Sequence, residues 1–96
     1  MTSTIKQQSL IKEERTIATS LTISANNAQN AIASVAKSGY KPLAISAITK
    51  TGAGSGLLAI GSFFIANDDN VNIQFYNPST SSRTIGVIAE ILYQRL

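Results

Sequence analysis

The sequence predicts an all-β protein, an antiparallel, jelly-roll-like β-sandwich of about seven strands, and three observations lead to this prediction. Apolar residues recur at every second position in several segments, which is the spacing of a half-buried strand. Clusters of Gly, Asn, Ser and Pro separate these segments. The connections are too short to hold crossover helices, so we expect antiparallel pairing and negligible helix.

Composition limits both the size of the protein and its chemistry. The chain has 96 residues, enough for one domain and too few for two. Hydrophobic residues make up 44% and aromatic residues only 6%, so the core should be built from aliphatic side chains. The chain contains neither His nor Cys, the usual catalytic base and thiolate nucleophile. We therefore expect no catalytic residues, no metal site, no cofactor and no enzyme activity.

Charge and hydropathy narrow the range of partners. The net charge is +3, and the eight Lys and Arg residues are scattered along the chain, which argues against a nucleic-acid partner. The N-terminus lacks the apolar core of a signal peptide. The longest apolar run, residues 57–66, is interrupted by Gly61 and Ser62. It is much shorter than the roughly 20 residues of a membrane-spanning helix, so we expect no membrane insertion.

The N-terminal half begins with a polar segment and continues with two strands. We interpret residues 1–16 as a polar N-terminal arm or edge strand, and residues 17–96 as the sandwich domain; charges on an edge strand discourage unwanted pairing. Residues 28–36 fit a helix by their Ala content and a strand by their alternation, and we interpret them as a strand. Residues 17–23 predict a strand with one face made of Ile17, Thr19, Leu21 and Ile23.

Two further strands follow in the middle of the chain. After a loop at residues 37–42, residues 43–49 predict a strand with Leu43, Ile45 and Ala47 on one face. Residues 51–56 are rich in Gly and form a flexible loop. The apolar run at residues 57–66 is typical of a strand that is covered on both faces.

The last third of the chain gives the clearest pattern. A tight turn at residues 67–70 precedes one strand, residues 71–76, and a loop at residues 77–82 precedes the last strand, residues 85–93. Strict alternation assigns one face of each strand to the core: Val71, Ile73 and Phe75, then Ile85, Val87, Ala89, Ile91 and Tyr93.

The apolar strands at residues 57–65 and 85–93 also carry apolar residues on their second face. A two-layer sandwich buries only one face of each sheet, so this second face needs cover. A subunit interface in a homo-oligomer is one explanation, and a loop or the N-terminal arm folded over the face is the other. Glu90, in the middle of the last strand, should face solvent or pair with a basic residue across a subunit interface.

Other polar groups have ordinary structural explanations. Glu13 and Glu14 lie beside basic residues and fit a solvated patch. Residues 67–70 fit a hairpin turn better than a calcium loop. The loop at residues 51–56 leads into a strand and lacks the Lys-Ser/Thr ending of a phosphate loop.

Loop residues are the best candidates for ligand contact, because a sandwich holds its loops in place while they vary. Tyr40 offers an aromatic face for a sugar ring and stands beside Lys41, while Asn77 and Ser79 offer hydrogen bonds to hydroxyl groups. We predict these four residues, with the loop at residues 51–56, as the ligand-binding positions. Tyr76, at a strand end, is a further aromatic candidate for stacking.

Residues 37–45 resemble a pattern of small proteins encoded near the tail genes of phages and prophages of Gram-positive bacteria. In that pattern a Gly-Tyr-x-Pro-Leu stretch, here residues 39–43, opens a strand. A Gly/Ser-rich turn, an apolar strand, an Asn-Pro loop and a strand ending near Leu-Tyr follow. Here these pieces are residues 51–56, 57–66, 77–82 and 91–93, so the resemblance covers about residues 17–96.

The resemblance implies a phage virion structural protein, a tail-fibre or receptor-binding head-like domain that forms a homotrimer. Such a protein would be made in the bacterial cytoplasm and located in the virion, at the phage tail or surface. Its partners would be other virion proteins, and cell-wall polysaccharide on the host would be its ligand. The resemblance supplies no catalytic residues. The alternative is a stand-alone bacterial carbohydrate-binding module, which would be a monomer.

Overall fold

A computed structural model describes residues 9–96 and confirms the all-β prediction. Besides the strands, the regular structure in this range is a 3-10 turn at Ser55–Leu57, and no helix in it is long and apolar enough to cross a membrane. The strands are β1 (Leu10–Ile23), β2 (Ala28–Ser34), β3 (Tyr40–Thr51), β4 (Ala59–Ile65), β5 (Asn70–Tyr76) and β6 (Arg83–Arg95).

The strands form two antiparallel sheets of three strands each. In the first sheet β6 lies between β1 and β3, and in the second β5 lies between β2 and β4. The chain changes sheet at every connection between described strands except the β4–β5 hairpin. As a result β1 lies against β2 and β3 lies against β4, so each side of the molecule is bounded by one edge strand from each sheet.

The hydrophobic core lies between the sheets and is built mainly from their central strands. A strand that pairs on both sides without bulges keeps its alternation, and both central strands do so. The predicted inward faces are confirmed, because every one of these residues is buried: Val71, Ile73, Phe75, Ile85, Val87, Ala89, Ile91 and Tyr93.

The edge strand β1 departs from strict alternation because it contains β-bulges. Its register with β6 shifts twice between Thr16 and Leu21, and each bulge adds one residue that changes which side chains point inward. Ile17 and Ile23 are buried, but Thr19 is exposed. The prediction that Thr19 shares a face with these isoleucines is therefore wrong.

The edge strand β3 shows the same effect. Its register with β6 shifts after Pro42 and again after Ile45. The inward residues are consequently Pro42, Ile45 and Ile48, whereas Leu43 and Ala47 are exposed. The predicted face of Leu43, Ile45 and Ala47 is wrong, because two bulges convert a spacing of two into a spacing of three.

The described residues contain six strands, where the sequence predicted about seven. The prediction treated residues 1–16 as a separate arm or edge strand. In the structure β1 is an edge strand of its sheet and runs without interruption through the predicted domain boundary between residues 16 and 17. The part of that prediction that falls on residues 1–8 lies outside the described residues.

Candidate interaction surface

β4 is an apolar strand that its own chain leaves largely uncovered. Its residues are all exposed except Ile65, which is half-buried. The sequence predicted that residues 57–66 are covered on both faces; within one chain this is wrong, and only Leu58 in this run is buried. The reason is topological, since β4 is an edge strand and its sheet ends there.

The inward face of β4 borders an open cleft. Ile60, Phe63 and Ile65 pair with the buried positions of β5, so their side chains belong to the inner side of the sheet. Ile60 is nevertheless 37% exposed and Phe63 is 51% exposed. Across from them lie the inward residues of β3, Ile45 and Ile48. We call the space between these two edge strands the β3–β4 cleft.

The β3–β4 cleft consists of two adjoining pockets of about 250 and 240 Å³ that share Ile45 and Phe63. No residue that lines either pocket is charged. Both bordering strands also end their sheets, so each has an edge without a neighbouring strand in the described part of the chain. An uncharged cleft between two free strand edges can accept another strand or another subunit.

The opposite side of the molecule, between β1 and β2, is closed by a hydrogen-bonded cluster. The buried hydroxyl of Tyr93 donates to the backbone carbonyl of Val35 at 2.6 Å. Nη1 of Arg15 donates to the same hydroxyl at 2.7 Å and lies 3.4 Å from the Val35 carbonyl oxygen. Burial raises the pKa of the Tyr93 phenol above its ordinary value of 10.0, although the charge of Arg15 acts in the opposite direction.

A pair of cations surrounds one carboxylate at the rim of this cluster. Glu13 lies 3.0 Å from Nζ of Lys37 and 3.5 Å from Nη1 of Arg15. Lys37 also stands over the ring of Tyr40, 5.2 Å from its centroid. Glu13 thus belongs to a network at the end of the core, and the predicted solvated patch describes only part of its environment.

The predicted ligand residues Tyr40 and Lys41 lie at the end of the molecule where β6 ends. Tyr40 is half-buried and packs edge-to-face against Tyr93, with ring centroids 6.3 Å apart. Lys37 occupies part of the space beside the Tyr40 ring. Lys41 is exposed.

The other predicted pair, Asn77 and Ser79, lies where β6 begins. Asn77 is fully buried, and its Nδ2 donates to the carbonyls of Ile23 and Ser81 at 2.9 and 2.8 Å. Its Oδ1 accepts from the backbone amide of Ser79 at 2.9 Å and lies 2.7 Å from the Ser79 hydroxyl. These hydrogen bonds use the whole amide of Asn77 to hold the β5–β6 loop.

The structure does not bring the two predicted pairs together. Tyr40 pairs with Arg95, and Ile23, the partner of Asn77, pairs with Arg83. The length of β6 separates them, roughly 40 Å at the rise of an extended strand. The loop at residues 51–56 lies at the Asn77 end, where Gly52 approaches the backbone of Thr84.

Two minor predictions can be placed on the structure. Asp68 accepts hydrogen bonds from both the backbone and the side-chain amide of Asn70, and Asp69 has a φ of 64°, which is turn chemistry. Glu90 is partly exposed on the outer face of β6, and its carboxylate accepts a hydrogen bond from Ser46 at 2.8 Å.

Sequence reasoning did not identify the Arg15–Tyr93–Val35 cluster or the β3–β4 cleft. The sequence of β1 contained a sign of the cluster. Glu13 and Arg15 fall on the same face of the strand as Ile11 and Ile17, while the residues between them are exposed. The cleft had a weaker signal, a strand that is apolar on both faces but lacks a charged residue at its edge.

Comparisons of the chain with protein-family models, with curated proteins and with solved structures gave no match.

Proposed function

We propose that this chain is a phage virion structural protein, a tail-fibre or receptor-binding head-like domain that assembles as a homotrimer through the β3–β4 cleft. It would be made in the bacterial cytoplasm, meet other virion proteins in the phage tail, and have no catalytic role. The observation that carries the proposal is the uncharged cleft between two free strand edges. The sequence resemblance directs it towards phage tails.

The exposed apolar area supports assembly. The cleft residues Leu43, Ile60, Phe63 and Phe64 are each between 37% and 52% exposed, which leaves on the order of 300 Å² of apolar surface around the cleft. The largest apolar patch on a typical soluble monomer is about 300–600 Å² and often marks an interaction site. Covering it would contribute about 7 kcal/mol per subunit before the costs of association.

Topology supports both a jelly-roll-like sandwich and an incomplete edge. A jelly roll has eight strands in two sheets. From the strand orders β1-β6-β3 and β2-β5-β4 we infer a jelly roll that lacks the hairpin next to β3 and β4. In a complete jelly roll that hairpin would cover the cleft. A neighbouring subunit can provide the same cover.

A second copy fits the cleft better than the N-terminal arm does. A strand that fills an apolar cleft needs large apolar residues at alternate positions, and residues 2–8 contain only one, Ile5. β4, by contrast, carries Ile60, Phe63, Phe64 and Ile65 without a charge. In a three-fold arrangement these strands would face one another without like-charge repulsion.

Host recognition by glycan contact is the second part of the proposal. Its predicted positions are the loop residues Tyr40, Lys41, Asn77 and Ser79. Lys41 is the most accessible of them, whereas Asn77 is buried and its amide is already hydrogen-bonded within the chain. The stand-alone carbohydrate-binding module stays the alternative function. The two functions differ in assembly, because a binding module needs no partner copy.

Light scattering of the purified chain tests the assembly. One chain has a mass of 10.2 kDa, so three chains have 3 × 10.2 = 30.6 kDa. We expect the trimer mass for the wild-type protein and the single-chain mass for Phe63→Gln, which places a polar group in the cleft. Leu10→Gln, a matched change at an exposed residue of β1, should remain a trimer. A wild-type protein of 10.2 kDa at micromolar concentration would contradict the proposal.

The virion role has its own test. Particles released by prophage induction in a strain that carries the gene can be purified and analysed by mass spectrometry. We expect peptides of this chain in the particles. Their absence from particles, with the protein present in the cell extract, would contradict a virion role while leaving the assembly result unchanged.

A further inference from the structure

We propose that the outer face of the second sheet, formed by β2, β5 and β4, binds a neutral polysaccharide chain. This inference rests on the host-recognition part of the proposed function and gives it a different location from the predicted loops. It does not depend on assembly through the β3–β4 cleft. Three features of the face support it: an uncovered tyrosine ring, a row of amides and hydroxyls, and the absence of charge.

The aromatic ring is that of Tyr76, which is 42% exposed at the end of β5. The residues paired with it are Ala28 on β2 and Ala59 on β4. Both neighbours in this cross-strand row are small, so neither can cover the ring. An accessible aromatic face complements the apolar C–H face of a sugar ring.

The adjacent row across the sheet is polar. Gln74 pairs with Asn30 on β2 and with Ser62 on β4, which places two amides and a hydroxyl side by side. At the β4 bulge, a Cβ on Gly61 would lie only 2.8 Å from Oε1 of Gln74. Because Gly61 has no side chain, the Gln74 amide can occupy this space.

A hydrogen bond orients the amides of this face. Nδ2 of Asn30 donates to Oδ1 of Asn72 at 3.1 Å. Each side chain keeps its second polar atom, Oδ1 of Asn30 and Nδ2 of Asn72, without a hydrogen-bond partner among the described residues. One acceptor and one donor thus remain for ligand hydroxyls, and neither amide needs to give up its existing bond.

Charge identifies the class of ligand. The outward positions of β2, β4 and β5 contain no Asp, Glu, Lys or Arg. A face without charge has no means of selecting an ionic polymer, and it avoids the cost of desolvating a charge when a neutral ligand covers it. The next row of this face, Ile32, Asn72 and Phe64, adds two exposed apolar side chains, Ile32 at 56% and Phe64 at 52%, which can contact the apolar faces of further sugar rings. A sugar chain, with apolar ring faces and a rim of hydroxyls, matches the arrangement.

Affinity measurements with the full chain test the site. The probes are soluble oligomers of glucose and of N-acetylglucosamine and neutral wall polysaccharide, with an anionic wall polymer for comparison. We expect binding to at least one neutral probe that is unchanged when NaCl is raised to about 0.5 M. Tyr76→Ala should weaken that binding about tenfold or more, and Tyr76→Phe should keep it. Asn30→Ala should also weaken it.

Leu10→Ala is the control, since it removes a large exposed side chain from β1, in the other sheet. We expect it to bind like the wild-type protein, and we expect Tyr76→Ala to keep the wild-type oligomeric mass. Tyr40→Ala distinguishes this face from the predicted loop position. Failure to bind any neutral probe, equal binding by Tyr76→Ala, or loss of binding in Tyr40→Ala alone would overturn the site. A change of oligomeric mass in Tyr76→Ala without glycan binding would identify the face as a protein interface instead.

Discussion

The Tyr93 hydroxyl is a buried polar group at the β1–β2 side of an apolar core, and its two partners explain why it is tolerated there. Burying a hydroxyl costs free energy unless it is hydrogen-bonded. Here the hydroxyl both donates to Val35 and accepts from Arg15. The cluster therefore closes one side of the molecule with specific bonds, whereas the other side has only the open cleft.

Tyr93→Phe should lower the free energy of unfolding by about 1–3 kcal/mol at neutral pH. The change leaves the buried carbonyl of Val35 with only the longer contact to Arg15, and it removes the hydroxyl that Arg15 bonds. Urea unfolding of both proteins measures the difference. Equal stability would show that the hydroxyl contributes nothing.

The same pair of proteins has a defined pH dependence. Because burial raises the pKa of Tyr93, the folded protein holds the phenolic proton more tightly than the unfolded chain does. The contribution of Tyr93 is complete below pH 10.0, the ordinary pKa, and is lost as the pH rises through the raised value. The stability gap between wild type and Tyr93→Phe should therefore narrow above pH 10.0, and a gap that widens would contradict this.

At the scale of elements, Asn77 fastens the β5–β6 loop to the end of β1. Asn77→Ala should lower the free energy of unfolding by about 2–4 kcal/mol, because it leaves the carbonyls of Ile23 and Ser81 without this donor. Ser79→Ala, which removes only a hydroxyl from the same loop, should cost about 1 kcal/mol. Thermal or urea unfolding ranks the two variants, and the reverse order would refute the structural role of Asn77.

Central and edge strands differ in how well the sequence predicts them. β5 and β6 pair on both sides, so their alternation remains regular and their buried faces were predicted residue by residue. β1 and β3 contain bulges, and Thr19, Leu43 and Ala47 were placed on the wrong face. A bulge arises from long-range pairing, and alternation within a strand does not contain that information.

The candidate surfaces were predictable only in part. Residues 57–65 are apolar on both faces of the predicted strand, which predicted a surface that needs cover. In the structure β4 is such an uncovered apolar strand. The bulges of β3 decide which of its residues border the cleft. The sequence alone therefore could not predict that Ile45 and Ile48 lie opposite Phe63. The amide row on the outer face required the register of three strands, which the sequence alone does not fix.

At the scale of the whole molecule, the two sides of the two-sheet structure differ in chemistry. The β1–β2 side has a buried Tyr–Arg cluster, and the β3–β4 side has an uncharged apolar cleft between free strand edges. A molecule with one closed and one open side can join copies through the open side and keep its other surfaces free. The outer face of the second sheet is then available for a ligand.

Hydrogen–deuterium exchange of the β4 backbone amides tests the central claim that other copies cover this strand. The measurement compares the wild-type protein with Phe63→Gln at the same concentration, and the amides of β5, which is central in its sheet, serve as the internal reference. We predict that the β4 amides that point away from β5 exchange slowly in the wild-type assembly and fast in the variant, with β5 protected in both. Equally fast exchange of β4 in both proteins would contradict the account.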